Sequence, residues 1–227
     1  MRMIKICKRM KAIGFYEVKL WLIVSHVKYP INLEEFLDLP ETQPASEYLK
    51  GEITQKPMPP GENSTLQIRL GTVINEAFLP PKLAHAFTEL WCDFGGQSLV
   101  TDISVFTWER IPRTEKRRIA NRFEVHPDWV IEILSPEQSA NQVIRKIMFC
   151  LSQGTQLGWL VDPKDESVMI LKPDSFPEVK LGEDILPVWE HLKKFQLSAR
   201  EMFAWLSLDN REPNRSINLK SSNSHDD

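Results

Sequence analysis

Apolar and polar residues recur along this chain at two different periods, and the switches between them lay out the elements. Over INLEEFLDLPE, Leu33, Phe36 and Leu37 fall at helical spacing and Pro40 ends the run. EYLKGEITQKP reads as strand, glycine-containing turn, strand. Ser64 is placed to cap a helix on which Leu66, Leu70, Val73, Ile74 and Ala77 share one face, and the proline pair at 80 and 81 closes it. Three β-type runs follow, AHAFTELWCDF, SLVTDISVFTW and FEVHPDWVIEILS, separated by Gly95 with Gly96 and by the polar stretch RIPRTEKRRIANR. Residues 139–153 return to helical spacing, with Val143, Ile147, Cys150 and Leu151 inward and Gly154 as the stop. LGWLVDP and ESVMILKP are strands, and SAREMFAWL is a last helix capped by Ser198. This order predicts an α/β fold, a central mixed β-sheet flanked by helices.

The two ends depart from that patterning. Residues 1–29 read as an N-terminal appendage, with a basic start and a short apolar patch, LWLIV, preceded by Glu17 and Lys19 and followed by no small-residue cleavage site. Residues 209–227 are polar and aperiodic, which predicts a disordered tail. One domain, 30–208, remains, and 42% hydrophobic content is ample for its core. No apolar run approaches the roughly 18 residues that a membrane span requires. Cys7, Cys92 and Cys150 are far apart and match no zinc spacing, which points to reduced thiols in a cytoplasmic protein. A formal net charge of −3 advertises no polyanion partner. The loop holding Arg110, Arg113, Lys116, Arg117, Arg118 and Arg122 could still meet phosphates, and a merely solvated loop accounts for it equally well.

Candidate chemistry begins with PDWVIEILSP. Asp128, Val130, Glu132 and Leu134 share one strand face, so Glu132 stands among apolar neighbours, where an unpaired carboxylate is costly. A structural ion pair explains one such acid as readily as a functional site does. A second acid, Asp102, interrupts the apolar strand SLVTDISVF in the same way. Two neighbouring strands with one inward acid each bring two carboxylates together, and a hard divalent cation such as Mg²⁺ relieves their repulsion. On the next helix, Gln142 and Lys146 flank the buried stripe, and Lys146 could lean toward the acids or simply snorkel with its stem packed.

The stretches ITQKPMPPGENSTLQIRL, FGGQSLVTDISVFTWERIPR, PDWVIEILSPEQS and GTQLGWLVDP together resemble the Uma-type family of restriction-endonuclease-like proteins, over about residues 31 to 206. The resemblance implies the restriction-endonuclease-like, PD-(D/E)XK fold and a Mg²⁺-dependent (or Mn²⁺-dependent) DNA endonuclease. It assigns catalysis to Asp102, Glu132 and Lys146, and metal binding to Asp102, Glu132 and the carbonyl of Ile133. The lysine usual two positions after the glutamate is Leu134 here, so the resemblance moves that role to Lys146, with Gln142 one turn earlier at the position close relatives use. Glu47 matches a family acid at the rim of the metal site, although a solvated hairpin carboxylate is the more common condition of such a residue. A histidine usual before the serine of the long helix is Asn63, and the proline usual before the first acid is Thr101. DNA is the implied partner, with a homodimer left open and no membrane. The alternative is a catalytically degenerate DNA-binding or interaction module on the same fold.

Overall fold

Local chemistry sets the first elements. Asn32 Oδ1 accepts from Glu35 N–H at 2.9 Å and Glu35 returns the bond to Asn32 N–H at 3.1 Å, a capping box that starts helix α1 (Leu33–Leu37). Its one buried residue, Phe36, stacks on Tyr48 of strand β1 (Ser46–Leu49), which forms a hairpin with β2 (Glu52–Gln55). The computed structural model describes residues 31–189, 192 and 195–208; the terminal segments set apart above, and Cys7 with them, lie outside the described residues.

Helix α2 (Gly61–Phe78) begins three residues before the cap read from sequence. Pro60 takes the N-cap with extended backbone, and Ser64 N–H donates to its carbonyl at 2.9 Å, which places Ser64 inside the first turn. Strands β3 (Ala84–Phe94) and β4 (Gln97–Thr107) form a long hairpin whose two-residue turn needs positive φ at both positions, supplied by Gly95 and Gly96. Strand β5 (Trp129–Ile133) is shorter than its apolar run, because Phe123 leaves the run to bridge Cys92. Helix α3 (Ala140–Ser152) then connects to β6 (Leu157–Asp162), β7 (Ser167–Leu171) and β8 (Glu178–Leu181), and Ser198 caps helix α4 (Ala199–Phe203). β8 is an edge strand with no buried residue, so it has no apolar pattern to betray it.

These strands form one mixed sheet in the order β2-β1-β4-β5-β6-β7-β8, with β3 on the other edge of β4. The β5–β6 pair is parallel, with α3 as its crossover, and the remaining pairs are antiparallel. Strand alternation divides the core into two faces. Trp129, Ile131 and Ile133 pack with Leu66, Leu70 and Ile74 of α2 and with α4; Val130 and Leu160 pack with Val143, Ile147 and Cys150 of α3. Glu132 belongs to the α3 face. No helix among the described residues is long and apolar enough to cross a membrane.

Candidate active site

Strand β4 is unevenly paired along one edge. β3 follows nearly its whole length on the other side, but β1 meets it at Ser98 and β5 only from Ile103 to Val105. Backbone groups between those contacts need partners other than a strand. Side chains supply them: Val100 N–H donates to Glu47 Oε1 at 2.8 Å, Val100 C=O accepts from Lys146 Nζ at 2.9 Å, and Asp102 C=O accepts from Gln67 Nε2 at 2.9 Å. These side chains come from β1, α3 and α2, so three elements converge on one interruption of the sheet.

The two strand acids meet there. Continuing the β4–β5 register one step past Ile103 and Ile131 sets Asp102 opposite Glu132. Asp102 Oδ2 accepts from Ile133 N–H at 2.7 Å, and its Oδ1 takes a charge-assisted bond from Lys56 Nζ at 2.7 Å. Glu132 is 3% exposed. Its Oε1 lies 2.8 Å from Lys146 Nζ but off the hydrogen-bond direction, so this oxygen is buried in ionic contact without an aligned donor. Lys146 Nζ is also 2.6 Å from Glu47 Oε1. A second cluster adjoins: Lys56 Nζ contacts both oxygens of Glu89 at 3.0 Å, and Gln67 Nε2 donates to Glu89 Oε1 at 2.9 Å.

Burial dominates the electrostatics. It pushes the Glu132 carboxyl up to about 8, with Asp102 and Glu47 adding to the rise and Lys146 and Lys56 opposing it. Burial alone would lower both lysines, but Glu132, Glu47 and Asp102 outweigh it at Lys146, and at Lys56 Asp102, assisted by Glu132 and Glu89, outweighs both burial and the repulsion of Lys146. Both ammonium groups therefore keep their charge at neutral pH.

Asp102, Glu132, Ile133 and Lys146 thus come together. Lys146 is buried, not a snorkelling flank residue. Glu47, for which a solvated state was the commoner expectation, is 8% exposed and packed on Lys146 and Val100. Gln142 is exposed, whereas Lys146 is buried against Glu47 and Glu132, so of the two helix positions it is Lys146 that meets the acids. Leu134 is half-buried against the α3 face. Lys56, Gln67 and Glu89 were missed. Glu89 carried a usable signal in the sequence, an acid at alternate spacing from the aromatic residues Phe87 and Trp91. In the basic loop, Arg110 pairs with Asp128, Arg122 with Asp93 at 2.9 Å, and Arg113 lies over Trp108, leaving Lys116, Arg117 and Arg118 exposed.

The donor set suits a hard divalent cation held by few protein ligands. It is all oxygen: Asp102, Glu132, whose Oε1 has no aligned hydrogen bond, and the Ile133 carbonyl, which accepts one bond from Asn63 Nδ2 at 3.0 Å and retains a second lone pair. Four carboxylates face two ammonium groups, a deficit of positive charge when all are ionised. No group of three or more His, Cys, Asp or Glu among the described residues forms a closed metal cage. Mg²⁺ is commonly bound by one or two carboxylates while keeping several waters, and that is the arrangement these residues fit.

A comparison with curated proteins returned no match. Among solved structures, the chain is similar to "a putative nuclease belonging to DUF820" from Anabaena variabilis ATCC 29413, with 49% sequence identity and a TM-score of 0.77, covering 78% of this chain and 100% of that one. The fold is restriction-endonuclease-like, as the mixed sheet with flanking helices and this neighbour agree. Residues 33–200 match the profile of Uma2, described as "Putative restriction endonuclease", and the chain belongs to that family.

Proposed function

We infer that the protein is a Mg²⁺- or Mn²⁺-dependent endodeoxyribonuclease that hydrolyses phosphodiester bonds in DNA. The observation that carries this reading is the pair of strand acids, with the buried carboxylate of Glu132 set across from Asp102 where the sheet is interrupted, in a chain of a nuclease-like family. Asp102, Glu132 and the Ile133 carbonyl would hold the ion, which when bound polarises a phosphate oxygen and lowers the pKa of its water. Ile133 N–H fixes the Asp102 carboxylate from below, and Lys146 with Glu47 fixes Glu132. The exposed Lys116, Arg117 and Arg118 would meet the DNA backbone without reading sequence.

Titration calorimetry with Mg²⁺ and Mn²⁺, paired with plasmid nicking, tests this. Asp102→Asn and Glu132→Gln should each abolish both metal uptake and nicking. A wild type that neither binds metal nor cuts would reduce the acid pair to structure. A second reading has its own observation: Asn63 Nδ2 donates to Ile133 O at 3.0 Å and to Ser135 Oγ at 3.1 Å, drawing the would-be carbonyl ligand into a structural network. A wild type that binds metal and DNA without cutting would establish that degenerate, binding-only module.

A further inference from the structure

Two buried lysines stand at the site, and their surroundings differ. Lys146 Nζ has three protein oxygens within 2.9 Å, those of Glu47, Glu132 and Val100, and every one belongs to a buried group. An ammonium has three N–H donors, and one of these oxygens is a backbone carbonyl that has no strand partner. Freeing Lys146 for a ligand would strand that carbonyl and two buried carboxylates.

Lys56 also has three oxygens around Nζ, but two belong to Glu89, whose side chain is 45% exposed. Glu89 is held in an unusual way. It sits at φ +50° in the middle of β3, while the register on both sides, Thr88 with Ile103 and Leu90 with Thr101, is intact. Left-handed backbone at a non-glycine residue costs about 1–3 kcal/mol and persists where surroundings impose it. The pairing register does not require it, although β3 changes faces at this residue, with Ala84 and Ala86 packed on the α2 side and Cys92 and Phe94 on the α3 side. The conformation also accompanies the meeting of Glu89 with Lys56 and Gln67. If Glu89 swung outward, Gln67 would keep its bond to the Asp102 carbonyl and Lys56 its bond to Asp102, so nothing buried would be stranded.

We propose that Lys56 is the lysine that contacts the DNA phosphate at this site, with Glu89 as its resting partner displaced when the phosphate arrives, and that Lys146 is a positioning residue. This rests on the nuclease reading above. The exchange is one anion for another at a single ammonium: the phosphate oxygen takes the place of the Glu89 carboxylate, and no covalent bond or proton changes hands.

The test measures DNA binding separately from cleavage. Fluorescence anisotropy of a labelled duplex in EDTA, across a salt series, reads phosphate contacts without metal. Lys56→Met should weaken binding and reduce the log–log salt slope by about 1, the share of one phosphate contact. Glu89→Gln, which removes the competing charge, should tighten binding. The double variant Lys56→Met/Glu89→Gln removes the pair together, guards against misfolding, and should retain the reduced slope. In Mg²⁺, Lys56→Met should lose about 10²–10³-fold in single-turnover cleavage, while Lys56→Arg recovers the salt slope. If wild type binds and cuts DNA but Lys56→Met and the double variant keep the wild-type slope and rate, the proposal falls and the nuclease reading stands. If wild type neither binds nor cuts, both fall.

Discussion

Gly158 offers a sharp quantitative test of how the fold positions the site. It lies in β6, buried, paired with Val130 of β5 and covered by Ile147 of α3. A Cβ added there would lie 2.2 Å from Ile147 Cγ2, and 3.7 Å from both Ile147 Cβ and Leu171 Cβ. Carbon atoms prefer about 3.5–4.0 Å, so the methyl groups must separate by roughly 1.5 Å. Ile147 cannot rotate away cheaply, because a β-branched residue in a helix has one strongly favoured χ1. Overpacking costs about 1–3 kcal/mol, offset by about 0.5–1 kcal/mol that alanine gains over glycine in a strand. Gly158→Ala should therefore lose about 1–2 kcal/mol, a fall in Tm on the order of 2–8 °C for a domain of this size. In an Ile147→Ala background the offending Cγ2 is gone and the remaining neighbours are at ordinary contact distance. There the same change should become neutral or stabilising, by up to about 1 kcal/mol. Thermal and urea unfolding of the four proteins in this cycle decide it. Equal destabilisation by Gly158→Ala in both backgrounds would refute the packing argument. Because Ile147 adjoins Lys146, the displacement of α3 in the single variant should also slow DNA nicking.

The pH response of metal-free protein follows from Glu132, whose pKa is raised from 4.5 to about 8. Folded protein then binds more protons than unfolded between those values, so stability falls as pH rises through the window. In EDTA, wild type should lose Tm relative to Glu132→Gln between pH 5 and pH 8, and parallel profiles would contradict the shift. A chain trimmed to residues 30–208 should unfold cooperatively near the full-length Tm, since residues from Leu66 to Phe203 already supply two core clusters and the terminal segments carry no long apolar period; loss of the cooperative transition would place the termini in the fold. Leu134→Lys restores the spacing usual after the glutamate, but it sets a charge at a half-buried position packed on the α3 face. It should lower Tm and leave nicking no faster, and an equally stable, more active variant would show that the lysine role belongs at that position.

What was legible in the sequence was whatever disturbed a pattern. Helices α2 and α3 and strands β3 to β7 stood out because their apolar residues keep one period over many positions. Asp102 and Glu132 stood out because they break such a period. The start of helix α2 at Gly61 was illegible because a proline cap makes no side-chain hydrogen bond of the kind expected of Ser64. Lys56 was illegible for a related reason: it follows a four-residue strand exposed throughout, where a lysine breaks no rule, and its burial depends on Glu89 and Asp102 arriving from two other strands. Burial of Glu47 likewise depends on Lys146, almost 100 residues away in the chain, and no local window contains both.

The interruption of β4 explains why a chain would bury Glu132 at all. Where β1 and β5 part from β4, Val100 presents an N–H and a C=O with no strand to take them, and leaving such groups unpaired costs about 1–3 kcal/mol each. Glu47 satisfies the first and Lys146 the second. The buried ammonium also contacts Glu132, which reaches it from β5. So Glu132 closes a chain of contacts that starts with a backbone amide, and it does so across from Asp102. The same opening that obliges these side chains to be there gives an ion access to two strands' carboxylates at once. Lys56 and Glu89 stand outside that chain, since neither satisfies a backbone group of β4. Their arrangement is free to change during a reaction, whereas that of Lys146 and Glu47 is fixed by the fold.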